Sequence, residues 1–292
     1  MEQAVGSVLL AARDYDLAAT LTSGQVFRWR RHEDAWLGVV AGHWIQLRQV
    51  PIGIQARVIN PQACLPGLTN YLQLTVDLNS ILTTFPDDEP MRAAVAACRG
   101  LRLLRQDPWE CLASFILSST KRILQIQQIV GLLCERFGHP VAAPPAFGPA
   151  FSFPGAERLA RVNEADLRAC KMGFRAPYLL AAAQSVAEGR LDLERVRTFS
   201  LDQAREALMN LPGVGRKIAD CVLLFAYGYP SAFPIDVWVE NALQSLYFPR
   251  RRATTRHLQR FSETHFGPNA GYAQQYLFHY IRTVLKGGSD LK

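Results

Sequence analysis

Leu211-Pro212-Gly213-Val214-Gly215-Arg216-Lys217-Ile218-Ala219-Asp220-Cys221 opens the stretch that decides the fold, and Phe233-Pro234-Ile235-Asp236 closes it. A helical pattern over Leu201–Asn210 ends just before it, five residues carry two glycines, and a second helix starts at once. That spacing predicts a helix-hairpin-helix, with Gly213 and Gly215 supplying the dihedrals of a tight turn. It is not a Walker A loop, which needs G-x-x-x-x-G-K-[ST]. Free N–H groups at the hairpin and the positive end of the second helix favour a phosphate.

Lys217 falls in the first turn of that second helix, on the flank of the stripe Ile218, Cys221, Val222 and Phe225. The helix dipole disfavours positive charge there, so the amine is a candidate nucleophile. An exposed helix-face lysine is the plainer alternative. Asp236, nineteen residues on, is placed to cap a helix over 237–246. Capping and catalysis are compatible, because a capped carboxylate is held rigid. A phosphate cradle, an amine and a carboxylate in one stretch suit covalent chemistry on a nucleic acid. A fixed carboxylate can stabilise positive character on a sugar losing its base. An amine can take the anomeric carbon as a Schiff base, which permits strand cleavage by β-elimination.

The rest of the chain fits a globular α+β protein. Its 292 residues are 49% hydrophobic and 20% charged, enough for two or three domains. The formal charge of +7 favours a polyanionic partner. Residues 14–60 read as an antiparallel meander, with Phe27, Trp29, Trp36, Val39, Trp44, Ile45 and Leu47 in short, partly alternating runs. Met91–Leu104 reads as helix. From Asp107-Pro108, an N-cap followed by proline, helices are expected at 109–116, Ile123–Phe137, Glu157–Ala160, Asn163–Cys170, Ala176–Glu188 and Gly271–Leu285. The expected division is a β-rich domain over 1–106 and a helical catalytic region over 107–292. Arg250-Arg251-Arg252 reads as a solvated loop or a phosphate contact. The six cysteines are scattered through apolar segments without metal-ligand spacing, so neither metal nor organic cofactor is expected. No signal peptide or membrane span is expected, and the protein is expected to be a monomer. It would be cytoplasmic in a prokaryote and nuclear in a eukaryote.

Three stretches together resemble the 8-oxoguanine DNA glycosylase/lyases of the helix-hairpin-helix glycosylase superfamily. They are Ser23-Gly24-Gln25-Val26-Phe27-Arg28-Trp29-Arg30, Arg102-Leu103-Leu104-Arg105-Gln106-Asp107-Pro108-Trp109-Glu110-Cys111-Leu112, and the hairpin with Lys217, Ala219-Asp220-Cys221 and Asp236. The resemblance implies excision of an extruded oxidised guanine from duplex DNA by Lys217, with Asp236 as the catalytic carboxylate. It implies that the Gly24 carbonyl accepts from the N7–H of the damaged base. Gln274 would read the Watson–Crick edge, Cys221 and Phe278 would sandwich the base, and Phe225 would belong to the same pocket. Gly213, Gly215, Thr120, Lys121, Phe174 and Arg175 would touch DNA, Arg175 facing the estranged cytosine. The chain departs from the family at Thr120-Lys121-Arg122, where an asparagine run is usual, and at Gln125, where an arginine is expected. Trp238 stands where a phosphate-contacting histidine is usual. A relaxed preference for the opposite base follows. The competing readings are an endonuclease III-like enzyme for oxidised pyrimidines without an iron–sulfur cluster, an alkylated-base glycosylase, and a non-catalytic hairpin module. No cysteine follows Cys221, which weighs against the first; the lysine weighs against the others.

Overall fold

The computed structural model describes residues 5–118, 122–250 and 252–285. Five antiparallel strands, β1 (Val5–Ala11), β2 (Arg30–His32), β3 (Ala35–Val40), β4 (His43–Val50) and β5 (Gly53–Ile59), form one sheet in the order β1-β5-β4-β3-β2. Two-residue turns join β2 to β5, and at Ala41-Gly42 both φ angles are positive, 48° and 76°. Such turns match the twist of the strands they connect. In β5, Ile54, Ala56 and Val58 point inward while Gln55 and Arg57 point out. Ile45 pairs with Val58 and Leu47 with Ala56, so one apolar face is continuous. Leu17, Trp29, Leu68, Tyr71 and Leu104 cover that face. Each large side chain buried there contributes about 1.5–3 kcal/mol.

The meander expected over 14–60 is interrupted by a helix, Leu17–Thr22, capped by Asp16, and it begins earlier, at Val5. The helix expected over Met91–Leu104 spans Glu89–Cys98 instead. Gly100, at φ +94°, ends it where Asp16 N–H donates to the Gly100 carbonyl at 2.8 Å. A Cβ at Gly100 would collide with that backbone, so the chain must leave the helix there. Residues 101–107 then run without helix or strand between the two cores, Leu101 and Leu103 entering one and Leu104 the other. The side chains of Leu78, Met91, Leu101 and Leu103 join the helical core, together with Phe27 from the sheet segment.

The helices Pro108–Ser118, Ile123–Phe137, Ala176–Ala187, Leu201–Met209, Arg216–Val222, Val237–Tyr247, Thr255–His265 and Ala270–Tyr280 surround that second core. Asp107 caps the first of them as expected, its carboxylate accepting from Glu110 N–H at 2.8 Å. Arg28 ties the sheet to this helix. Its guanidinium donates to Glu110 at 3.1 Å and to the carbonyls of Val39 and Phe151. Among the described residues no helix is long and apolar enough to cross a membrane.

Candidate active site

The hairpin forms as its spacing predicts. Helix Leu201–Met209 ends at Asn210, Gly213 turns at φ +78°, and helix Arg216–Val222 begins with Gly215 as an N-cap that offers no side chain. The ring of Tyr178 packs where a Cβ on Gly213 would stand, so only glycine fits. Asp220 faces away from the site. It is buried and accepts from Arg205 Nε at 2.8 Å, with Arg216 Nε at 3.6 Å, locking the two hairpin helices together. Within Ala219-Asp220-Cys221, Cys221 reaches the site and Asp220 is scaffold.

Lys217, Asp236, Gly24, Cys221, Phe225, Gln274, Phe278, Gly213 and Gly215 all line one cleft of about 770 Å³. They come from the loop after the first helix, the hairpin, the helix after Asp236 and the last helix. Lys217 Nζ donates to Ser118 Oγ at 3.2 Å and sits 5.4 Å from the centre of the Phe115 ring. Ser118 donates its own proton to the Phe115 carbonyl at 2.8 Å, so towards the lysine it is an acceptor. Phe115 stacks on Phe225 at 5.6 Å and meets Phe27 edge-on, which makes an aromatic floor under the amine. Asp236 caps its helix by accepting from Val239 N–H at 2.9 Å, as the sequence suggests, and remains partly open to the cleft. Cys221 is buried, and burial pushes its thiol up to about 12 against the opposing charge of Lys217. It is therefore a neutral, polarisable wall at neutral pH.

Gln274 is 4% exposed, and its Oε1 has no hydrogen-bond partner among the described residues. An orphaned buried acceptor costs about 1–3 kcal/mol, which a donor brought in by a ligand would offset. Gly24 holds φ +80°, and a Cβ there would press at 3.2 Å on both Phe278 and Ile123. The carbonyls flanking it are taken: Ser23 O accepts from Gln275 Nε2 at 2.8 Å and Gln25 O from Gln106 Nε2 at 2.7 Å. The Gly24 carbonyl accepts none among the described residues. The Gln25 amide is bonded to Thr20 O, Ser23 Oγ, Arg102 O and Leu104 N–H. The two most specific matching stretches, 23–30 and 102–112, thus clamp each other around Gly24. Sequence reasoning missed Ser118, Gln25, Gln106 and Gln275, because their partners lie far away along the chain.

Some expected residues are not brought together. Phe174 stands out at 58% exposure away from the cleft, while Arg175 behind it is 2% exposed with its guanidinium 4.3 Å from the Phe174 ring centre. Gln125 folds back to cap its own helix, accepting from Arg122 N–H at 3.1 Å. Thr120, Lys121 and Arg251 lie outside the described residues. The six cysteines are buried and unpaired, and no group of three or more metal-ligating side chains gathers among the described residues. Arg122, Trp238 and Arg282, singled out by no pocket expectation, also line the cleft.

A family model for the HhH-GPD superfamily of base excision DNA repair proteins matches residues 113–268, and the chain belongs to that superfamily. Within it, residues 7–112 match the N-terminal domain of 8-oxoguanine DNA glycosylase. The chain is 30% identical over 304 residues to a probable N-glycosylase/DNA lyase of Methanothermobacter thermautotrophicus, covering 92% of this chain and 94% of that protein. It is 30% identical to the N-glycosylase/DNA lyase OGG1 of Arabidopsis thaliana, across 92% of this chain and 78% of that one. The Clostridium acetobutylicum 8-oxoguanine glycosylase/lyase, solved with double-stranded DNA containing cytosine opposite 8-oxoG, superposes with a TM-score of 0.88. Its sequence is 29% identical, with 97% of this chain and 99% of that chain covered.

Proposed function

We propose that the protein flips 8-oxoguanine out of duplex DNA, excises it with Lys217 as nucleophile, and then cuts the strand as a lyase. One observation carries the choice of base: the cleft lined by Lys217 and Asp236 is also lined by Gln274 and Gly24, whose Oε1 and carbonyl have no donor among the described residues. A purine satisfying both needs a donor on its Watson–Crick edge and another at N7. Oxidised guanine has both, whereas guanine turns an N7 lone pair on the carbonyl and leaves the two acceptors opposed.

In this mechanism the neutral Lys217 amine attacks C1′. The C1′–N9 bond breaks, its electron pair leaves on the base, and the base takes up a proton. Asp236 stabilises the positive character on the sugar as the bond lengthens. The amine then gives up a proton and its lone pair forms C1′=N as the C1′–O4′ bond breaks; O4′ keeps that bond's electron pair and takes up the proton, leaving a ring-opened protonated imine. Removal of a C2′ proton then expels the 3′-phosphate. Stacking between Cys221 and Phe278 holds the extruded base, and the hairpin N–H groups of Gly213 and Gly215 hold the DNA backbone. Charge supports the duplex as partner, and a monomer in the compartment of the DNA is the accompanying proposal.

Borohydride trapping on duplexes with a single 8-oxoguanine or a single thymine glycol tests this reading. A covalent adduct with the first and little with the second is expected, and equal trapping would overturn the purine assignment. Gly24→Ala forces a side chain into a left-handed conformation at about 1–2 kcal/mol and pushes its Cβ against Phe278. Excision of 8-oxoguanine is expected to fall about a hundredfold, or ~2.7 kcal/mol, while cleavage of a preformed abasic site is retained. Single-turnover assays on the two substrates separate these outcomes.

The opposite strand is read weakly in this proposal, because Gln125 is spent on its helix cap and Arg175 is buried. A specific bidentate base contact is worth about 1–3 kcal/mol. Without one, excision opposite C, A, G and T is expected to stay within about tenfold in single-turnover rate. A preference for cytosine above about a hundredfold would overturn this expectation and assign a specific contact to the opposite base.

A further inference from the structure

Gln275 has no part in the reaction just described, yet it is 2% exposed, lines the cleft and donates to the Ser23 carbonyl at 2.8 Å. It is the immediate neighbour of Gln274 on helix Ala270–Tyr280. Successive helical residues diverge by about 100°, so one rigid turn sends Gln274 to the base and Gln275 to the loop that carries Gly24. The loop's other polar attachments run elsewhere. Gln25 and Gln106 fasten it to the 101–106 segment and to helix Leu17–Thr22. Arg282, just past that helix, brings its Nη1 to 3.5 Å from the carbonyl of Thr22, the last residue of helix Leu17–Thr22. The short bond from Gln275 therefore sets how far the Gly24 carbonyl stands from Gln274 Oε1.

That distance matters chemically. The N7–H and the Watson–Crick donors of an oxidised purine are separated by a rigid fused ring, so two acceptors satisfy both only at one spacing. Guanine is rejected only if the Gly24 carbonyl cannot retreat from its N7 lone pair. We infer that Gln275 is a positioning residue that fixes the spacing of the two base-reading acceptors, and with it the selection of oxidised over normal guanine. The inference rests on the function proposed above. Its chemistry is a hydrogen bond to a neighbouring carbonyl, with no contact to the reacting atoms.

The test compares the full-length wild type with Gln275→Leu and Gln275→Glu. Gln275→Leu keeps the volume and removes the donor. Gln275→Glu keeps the shape and sets a carboxylate against the Ser23 carbonyl. Three single-turnover rates are measured: excision of 8-oxoguanine, excision of guanine, and strand cleavage at a preformed abasic site. Gln275→Leu is expected to excise 8-oxoguanine about ten- to hundredfold more slowly, with a smaller ratio over guanine and an abasic-site rate within about twofold of wild type. Gln275→Glu is expected to lose more, because like acceptors repel. Equal losses on 8-oxoguanine and on the abasic site would make Gln275 a general structural residue and overturn the inference, as would unchanged discrimination. A wild type that cuts abasic sites but ignores 8-oxoguanine would instead overturn the purine reading, and the spacing role with it.

Discussion

Lys217→Gln is expected to leave a folded, DNA-binding protein that forms no borohydride-trapped adduct. The amine sits in the first turn of helix Arg216–Val222 and donates to Ser118 Oγ at 3.2 Å. Glutamine has nearly the same helix propensity and can fill the same space over Phe115, so the fold loses little. It has no nucleophilic lone pair, so neither attack at C1′ nor the imine can follow. Excision is expected to fall by at least about 10³-fold and strand cleavage to vanish with it. Ser118 points its lone pair at the lysine and its proton at the Phe115 carbonyl. It therefore orients Nζ without competing for the electrons that attack. An undiminished adduct in the variant would assign the Schiff base to another amine.

Asp236→Asn separates two duties of one side chain. Asparagine caps helices as well as aspartate does, so the bond to Val239 N–H survives and the melting temperature should hardly move. The negative charge facing the developing sugar cation is lost. A fixed charge of this kind is worth about 10²–10³-fold in rate, and excision is expected to fall by that factor while affinity for damaged duplex persists. Asp236→Ala loses the cap as well, which costs about 0.5–2 kcal/mol of stability. Circular dichroism melts and single-turnover excision of the pair distinguish capping from catalysis. Equal activity in Asp236→Asn and wild type would limit Asp236 to its capping role.

Much of this site is legible in the chain because local physics decides it. The hairpin glycines, the N-cap at Asp236, the proline-started helix after Asp107 and the helix Ile123–Phe137 all depend on residues within one or two turns. The end of helix Glu89–Cys98 was hidden, because what stops it is Asp16 crossing over Gly100 from far away in sequence. The helix Leu17–Thr22 was hidden in a similar way, its buried side chains Leu17, Ala19 and Leu21 resembling a strand in so short a run. Arg175 was assigned to the opposite strand by resemblance, and Gln125 was noted only as standing where an arginine is expected. Their side chains obey their own surroundings, a stack on Phe174 and a helix cap.

By itself, then, the sequence determined the chemistry: a hairpin that can hold a phosphate, an amine in the next turn, and a capped carboxylate at a proline-marked helix start. Each follows from short-range hydrogen bonding and backbone dihedrals, which neighbouring residues dictate. Resemblance alone pointed to an oxidised guanine; only the tertiary structure decided how the residues it assigned to the base come together. The unpartnered carbonyl of Gly24 and the orphaned Oε1 of Gln274 lie 250 residues apart in the chain, and they share a cleft because Gln25, Gln106 and Gln275 bind three distant segments together. Whether such acceptors stay open depends on which donors the folded chain brings beside them, which no local reading of the chain can count.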